Sequence, residues 1–194
     1  QVVTKPPPTC PVLPPHSPLL RISRHAEDPE GVLRRAGAAA YAAVFWDSAE
    51  DLPALTVLAE QLGPRLLLPE CWQRDLPQCG VLISSSLSGG TAMQRFSEAA
   101  EAAPGRCWLL LEWLSMEFPL PCPSGDGQAL GKEALHARLQ DRQSFFDSGL
   151  CCAYTHWLED GRGRMVLYDT ADTLTQKVHL ARQAGFQGVV LKSA

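Results

Sequence analysis

The chain has 194 residues, 45% of them hydrophobic and 20% charged, and a net charge of -4. That size and balance suit one globular domain with a single good core. The acidic balance leaves no electrostatic footprint for nucleic acid or an anionic membrane, and no apolar run reaches the ~18 residues of a membrane span.

Residue 1 is Gln rather than Met, so a processed or trimmed chain is expected, and secreted, cell-surface and cytoplasmic settings all stay open. The cysteines are Cys10, Cys71, Cys79, Cys107, Cys122, Cys151 and Cys152, with no CxxC spacing among them. Zinc needs ligands clustered at recognisable spacing, so neither a metal nor another cofactor is expected. Cys107, Cys151 and Cys152 fall in predicted strands, where a reduced thiol serves as a small buried hydrophobe.

Residues 1–18 are rich in proline, which fixes φ and removes the backbone donor, so an extended arm or linker is predicted, followed by a single domain over 19–194. Leu19–Arg24 reads as a strand. Asp28-Pro29 opens a helix to about Ala40 through a capping carboxylate and an N1 proline. Tyr41–Asp47 is a strand, and Ser48 with Asp51 caps a helix that buries Leu55, Leu58 and Leu62. Strands follow at Arg65–Pro69 and Gly80–Ser85. A helix over Thr91–Ala103 turns Met93, Phe96 and Ala100 inward. Arg106–Trp113 is a strand, Ser115–Gly127 a proline-bearing loop, and Lys132–Arg142 a helix. Leu150–Trp157 and Arg164–Tyr168 form a hairpin about Asp160-Gly161, because Asp-Gly supplies positive φ cheaply. Asp169 or Thr170 then caps a helix whose stripe is Leu174, Val178 and Ala181, Gly185 stops it, and Phe186–Leu191 closes the chain as a strand. Arg162 and Arg164 in the hairpin are expected to be solvated.

Strands that are continuous apolar runs, alternating with helices, predict an α/β fold with a mostly parallel sheet. No Gly-x-Gly-x-x-Gly follows the first strand, which disfavours a dinucleotide fold. A (β/α) barrel is favoured, short or incomplete because a full one takes about 250 residues. In such barrels the chemistry sits after the C-terminal ends of the strands. Three predicted strands deliver a carboxylate beside a tryptophan there: Trp46-Asp47, Glu70 near Trp72, and Glu112-Trp113. Carboxylates serve as acid and base in glycoside hydrolysis, and flat aromatic faces stack on sugar rings. Tyr154, His156 and Trp157 lie on a further strand. Each of these residues also has an ordinary role, as helix cap, packing group or hydrogen-bonded histidine. A separate stretch, Ser84–Thr91, joins a strand to a helix, and Ser88, Gly89, Gly90 and Thr91 could cradle an anion with bare N–H groups, although a plain cap is the simpler reading.

Ala153-Tyr154-Thr155-His156-Trp157, the turn, Met165-Val166-Leu167-Tyr168-Asp169, the helix over Leu174–Gln183 and Gly188-Val189-Val190-Leu191 together resemble the closing segment of family 18 glycoside hydrolases, the chitinase, chitobiase and spore-cortex hydrolase group. The resemblance implies a TIM-type barrel with a β-hairpin before its last helix, and an amino-sugar glycan such as chitin or peptidoglycan as ligand. It also implies an Asp-x-x-Asp-x-Asp-x-Glu motif, which would fall at positions 40, 43, 45 and 47. The residues there are Ala40, Ala43, Phe45 and Asp47, so the family's acid series is degenerate. Three expectations follow. One is a hydrolase whose acid has moved to Glu112 or Glu70, with Asp47 in the family's position and Trp46, Trp72, Trp113, Tyr154 and His156 lining the sugar. The second is a glycan-binding or assembly domain that has lost the reaction. The third is a barrel enzyme for a small phosphorylated substrate held at Ser88–Thr91.

Overall fold

The computed structural model describes residues 19–22, 29–38, 43–46, 52–87 and 89–192, with side chains for 30–34, 52–87 and 89–192. The predicted proline arm, the caps at Asp28, Ser48 and Asp51, and the candidate residues Asp47 and Ser88 lie outside the described residues.

The described residues form two sheets. The first contains β1 (Leu19–Ile22), β2 (Ala43–Trp46), β3 (Leu66–Pro69), β4 (Gly80–Ser84), β5 (Cys107–Leu111) and the last strand β11 (Gly188–Leu191), ordered β1-β2-β3-β4-β5-β11. Pairing is parallel from β1 through β4, with Leu19 opposite Ala43, Val44 opposite Leu66 and Leu67 opposite Gly80. From β4 to β5, Val81 N donates to Arg106 O and Ser85 N to Leu110 O, so the partners advance together along both strands and this pair is parallel too. Helices α1 (Pro29–Ala38), α2 (Leu52–Leu62), α3 (Ala92–Ala102) and α5 (Ala171–Gln183) alternate with these strands. Among the described residues no pairing joins β11 back to β1, so these strands form an open, not a closed, barrel.

The second sheet is inserted between β5 and α5. It holds β6 (Ser115–Leu120), β7 (Gln128–Ala129), β8 (Phe145–Asp147), β9 (Cys152–Glu159) and β10 (Arg162–Tyr168), with α4 (Lys132–Leu139) between β7 and β8, and its antiparallel order is β7-β6-β10-β9-β8. The predicted hairpin is its β9–β10 pair, turning on Asp160 (φ 50°) and Gly161 (φ 74°) as a two-residue turn requires. The predicted Ser115–Gly127 loop is instead half strand. Pro119 is tolerated because β7 pairs only with Met116 and Glu117, so beyond them one edge of β6 is open and no ladder donor is missed.

The chain divides into two compact units. The first comprises the described residues up to Ile83 with Ala99–Leu109 and Gly185–Val189. Its core joins Leu55, Leu58, Ala59 and Leu62 of α2 to Val32, Leu66, Leu68, Leu76 and Cys79, with Trp72 packed against it. Burying each leucine contributes about 1.5–3 kcal/mol. Gly188 lies against Trp108, where any side chain would run into the indole.

The second unit comprises Ser84–Glu98, Leu110–Ala184 and the described residues from Val190. One face of the antiparallel sheet packs Ala153, Val166, Tyr168 and Trp157 against Leu135 and Leu139 of α4. The other gathers Leu114, Phe118, Cys152 and Leu167. Glu117 is buried on the α4 side and meets Arg138 at 2.9 Å and Arg164 at 3.9 Å. Arg164 also reaches Glu159 at 3.2 Å, so it is half-buried in ion pairs rather than solvated, because it shares a sheet face with Glu117. Arg162 is exposed.

Two helical faces bury Phe96, Leu174 and Ala181 as predicted and differ at their other positions. In α3 the buried positions are Ala92, Phe96 and Ala99, continued by Ala103, whereas Met93 is exposed and Ala100 only half-buried. In α5 the buried positions are Thr173, Leu174, Lys177 and Ala181, and Val178 is half-buried. Lys177 takes the place of the apolar residue because its partner, Asp169, is itself in the core. Thr170 is the N-cap, in a capping box with Thr173. Cys151 precedes its strand at φ 55°, and burial raises the thiols of Cys151, of Cys79 to about 11 and of Cys152 to about 12.

Candidate functional site

Three strands that neighbour one another, β4, β5 and β11, end side by side, and the residues at those ends meet in the second unit. Ser84 closes β4, Glu112 follows β5 and Lys192 follows β11. Ser84 Oγ donates to Glu112 Oε2 at 2.5 Å, and Lys192 Nζ donates to Glu112 Oε1 at 2.6 Å. Both carboxylate oxygens are therefore engaged as acceptors, one of them by an ammonium. The Glu112 side chain is 20% exposed and that of Lys192 45%, so the cluster faces solvent from a fixed base.

The base is built by Ser85, which is fully buried. Its hydroxyl accepts from Glu112 N at 2.9 Å and donates to Glu112 O at 3.2 Å. Two residues on, Leu114 is fixed in the same way: its N donates to Asp169 Oδ2 at 3.0 Å, and its O accepts from Asp169 N at 2.9 Å. Between these clamps stands Trp113, 63% exposed.

The other predicted residues are dispersed. Glu70 lies exposed in a one-turn helix directly after β3, in the first unit, and its neighbour Trp72 is core packing there. Trp46 ends β2. Tyr154 and His156 project from one face of β9 and stack with Phe145 of β8, with ring centroids 5.4 and 5.6 Å from that of Phe145. His156 is exposed. At the Gly89-Gly90-Thr91 stretch, Ala92 N already donates to Gly149 O and Gln94 N to Thr91 Oγ1, so two donors of the α3 N-terminus are committed to the protein itself. Ser84 and Ser85, grouped in sequence with that loop, instead serve Glu112. Lys192 carried a sequence signal that went unused, since it is the residue after the last strand of the barrel. Among the described residues no group of three or more His, Cys, Asp or Glu gathers to hold a metal.

The architecture has close counterparts among solved structures. Over 85% of this chain, the Bacillus cereus spore cortex-lytic enzyme SleL superposes with a TM-score of 0.58 at 14% identity. A chitinase from Chromobacterium violaceum matches 91% of the chain and 74% of its own, with a TM-score of 0.58 at 12% identity. A GH18 chitinase from Cycas revoluta, solved in complex with (GlcNAc)3, matches 91% of the chain and 75% of its own, with a TM-score of 0.51 at 12% identity. The fold is that of the family 18 glycoside hydrolases. This family 18-like chain spans about half the length of SleL, 48% of it. No protein-family model and no curated protein matches its sequence. Ala43 and Phe45 lie in β2.

Proposed function

We propose that the chain is an amino-sugar glycan-binding domain on a family 18 fold, in which Glu112 holds the site together rather than donating a proton. The carrying observation is the occupation of both Glu112 oxygens by Ser84 and Lys192. A general acid must present a proton to the glycosidic oxygen. A carboxylate that receives a hydroxyl on one oxygen and an ammonium on the other is arranged to accept. Beside it, Trp113 offers a large exposed aromatic face, suited to stack on a sugar ring. The degenerate acid series, Ala40, Ala43 and Phe45, supports the same reading. The (GlcNAc)3 complex of the Cycas revoluta chitinase favours an N-acetylated sugar as ligand class.

The test is titration with chitin oligosaccharides and muropeptide fragments, followed by tryptophan fluorescence, with product analysis on whatever binds. Saturable binding without product is expected. Product release that disappears in Glu112→Gln or Glu70→Gln would establish a hydrolase with a relocated acid. Absence of binding to both ligand sets would overturn the carbohydrate reading.

A further inference from the structure

Asp169 and Lys177 form an ion pair at 2.8 Å in which both side chains are fully buried. Such pairs contribute little net stability, because desolvation offsets the attraction, and apolar residues of similar volume often serve as well. This one does something an apolar pair could not. The same Asp169 oxygen that meets Lys177 accepts from Leu114 N, and the other accepts from Thr173 Oγ1. Lys177, on α5, thus holds the Asp169 carboxylate at the place where it grips the turn after β5. Ser85 grips the other side of that turn at Glu112. Trp113 is left outside, on a backbone fixed before and after it.

We infer that Asp169, held by Lys177, is a positioning residue that fixes the 112–114 turn and so presents Trp113 beside Glu112 to a sugar. The sugar part of this inference rests on the proposed function; the positioning part does not. A fixed platform loses no freedom on binding, which is where preorganisation gains affinity.

The test compares wild type, Trp113→Ala, the apolar double variant Asp169→Leu/Lys177→Met, and Val166→Ala, a fully buried sheet position that controls for general destabilisation. Amide hydrogen exchange at Glu112 and Leu114 is read by NMR, and triacetylchitotriose affinity by calorimetry. In the double variant, exchange is expected to speed up about tenfold or more at Leu114, and also at Glu112, whose own partner Ser85 is untouched. Chitotriose affinity should fall to that of Trp113→Ala, with Val166→Ala close to wild type. Unchanged exchange at Glu112 in the double variant would overturn the inference, as would an equal affinity loss in Val166→Ala. Faster exchange at both amides in a protein whose wild type binds neither chitotriose nor muropeptide fragments would uphold the positioning role and overturn the carbohydrate reading alone.

Discussion

Replacing Lys177 with Met separates the attraction within the buried pair from the cost of burying it. At 2.8 Å and an effective dielectric of about 20, two unit charges attract by about 6 kcal/mol. Removing each ion from water costs several kcal/mol, so the intact pair is close to neutral. Deleting only the lysine leaves a carboxylate in the core without its counter-ion, a loss of about 3–5 kcal/mol. Leu114 N and Thr173 Oγ1 still donate to Asp169, which places the expected loss near the lower bound, about 3 kcal/mol. For a chain of this size that corresponds to a melting temperature lower by roughly 6–12 °C. Adding Asp169→Leu removes the stranded charge and should restore about 1–2 kcal/mol despite the orphaned Leu114 N–H. Thermal and urea unfolding followed by far-UV circular dichroism read both variants. A single variant that melts within about 2 °C of wild type, or a double variant less stable than the single, would refute the reasoning.

Ser85→Ala removes the one buried hydroxyl that serves both backbone groups of Glu112 and should cost about 1–3 kcal/mol in denaturant unfolding. Gly188→Ala drives a methyl group into Trp108 and should destabilise by about 1–3 kcal/mol, with a shift in tryptophan emission as the local check. Alkaline pH should also weaken the fold. The thiols of Cys79 and Cys152 keep their protons to about 11 and about 12 in the folded chain, against an ordinary 9.0. Above pH 9.0 the unfolded chain therefore binds fewer protons than the native one, and stability falls as pH rises through that window, while below it this contribution is constant. Unfolding midpoints measured at pH 8 and at about 10.5 should show the decline, and Cys152→Ala should make it shallower.

The barrel strands were legible because each is a short apolar run bounded by proline, glycine or charge, and burial on both sides leaves no other pattern to read. Strand β6 was not, since Pro119, Pro121 and Pro123 carry the signature of a loop, and only the short reach of β7 makes Pro119 harmless. The buried face of α5 was read correctly at Leu174 and Ala181 and missed Lys177, because a lysine scores as surface until its aspartate is known to be inside. The site was half legible. Glu112 and Trp113 followed from their place after a strand. Ser84 and Ser85 did not, as a serine that holds a backbone looks the same in sequence as one in a flexible cap. Lys192 required only that the same rule be carried one residue past Leu191.

The two hydrogen bonds between Leu114 and Asp169 also close a neck. The chain leaves the barrel at Leu114, builds a five-stranded sheet with its own helix, and returns to the same point at Asp169 before entering α5. Whatever lies beyond the neck is, for the barrel, a loop whose ends are already joined. Doubling the length of such a loop costs only about 0.6 kcal/mol in closure entropy. The far loops of the inserted sheet can therefore lengthen or shorten at little entropic cost, and new chain ends could be opened at the exposed Ser124-Gly125 tip, whereas Cys151 and Gly149 tie the near end to Thr173 and Ala92. The neck thus lets length vary in the far loops of the inserted sheet while Glu112 and Trp113 stay where the neck and Ser85 hold them.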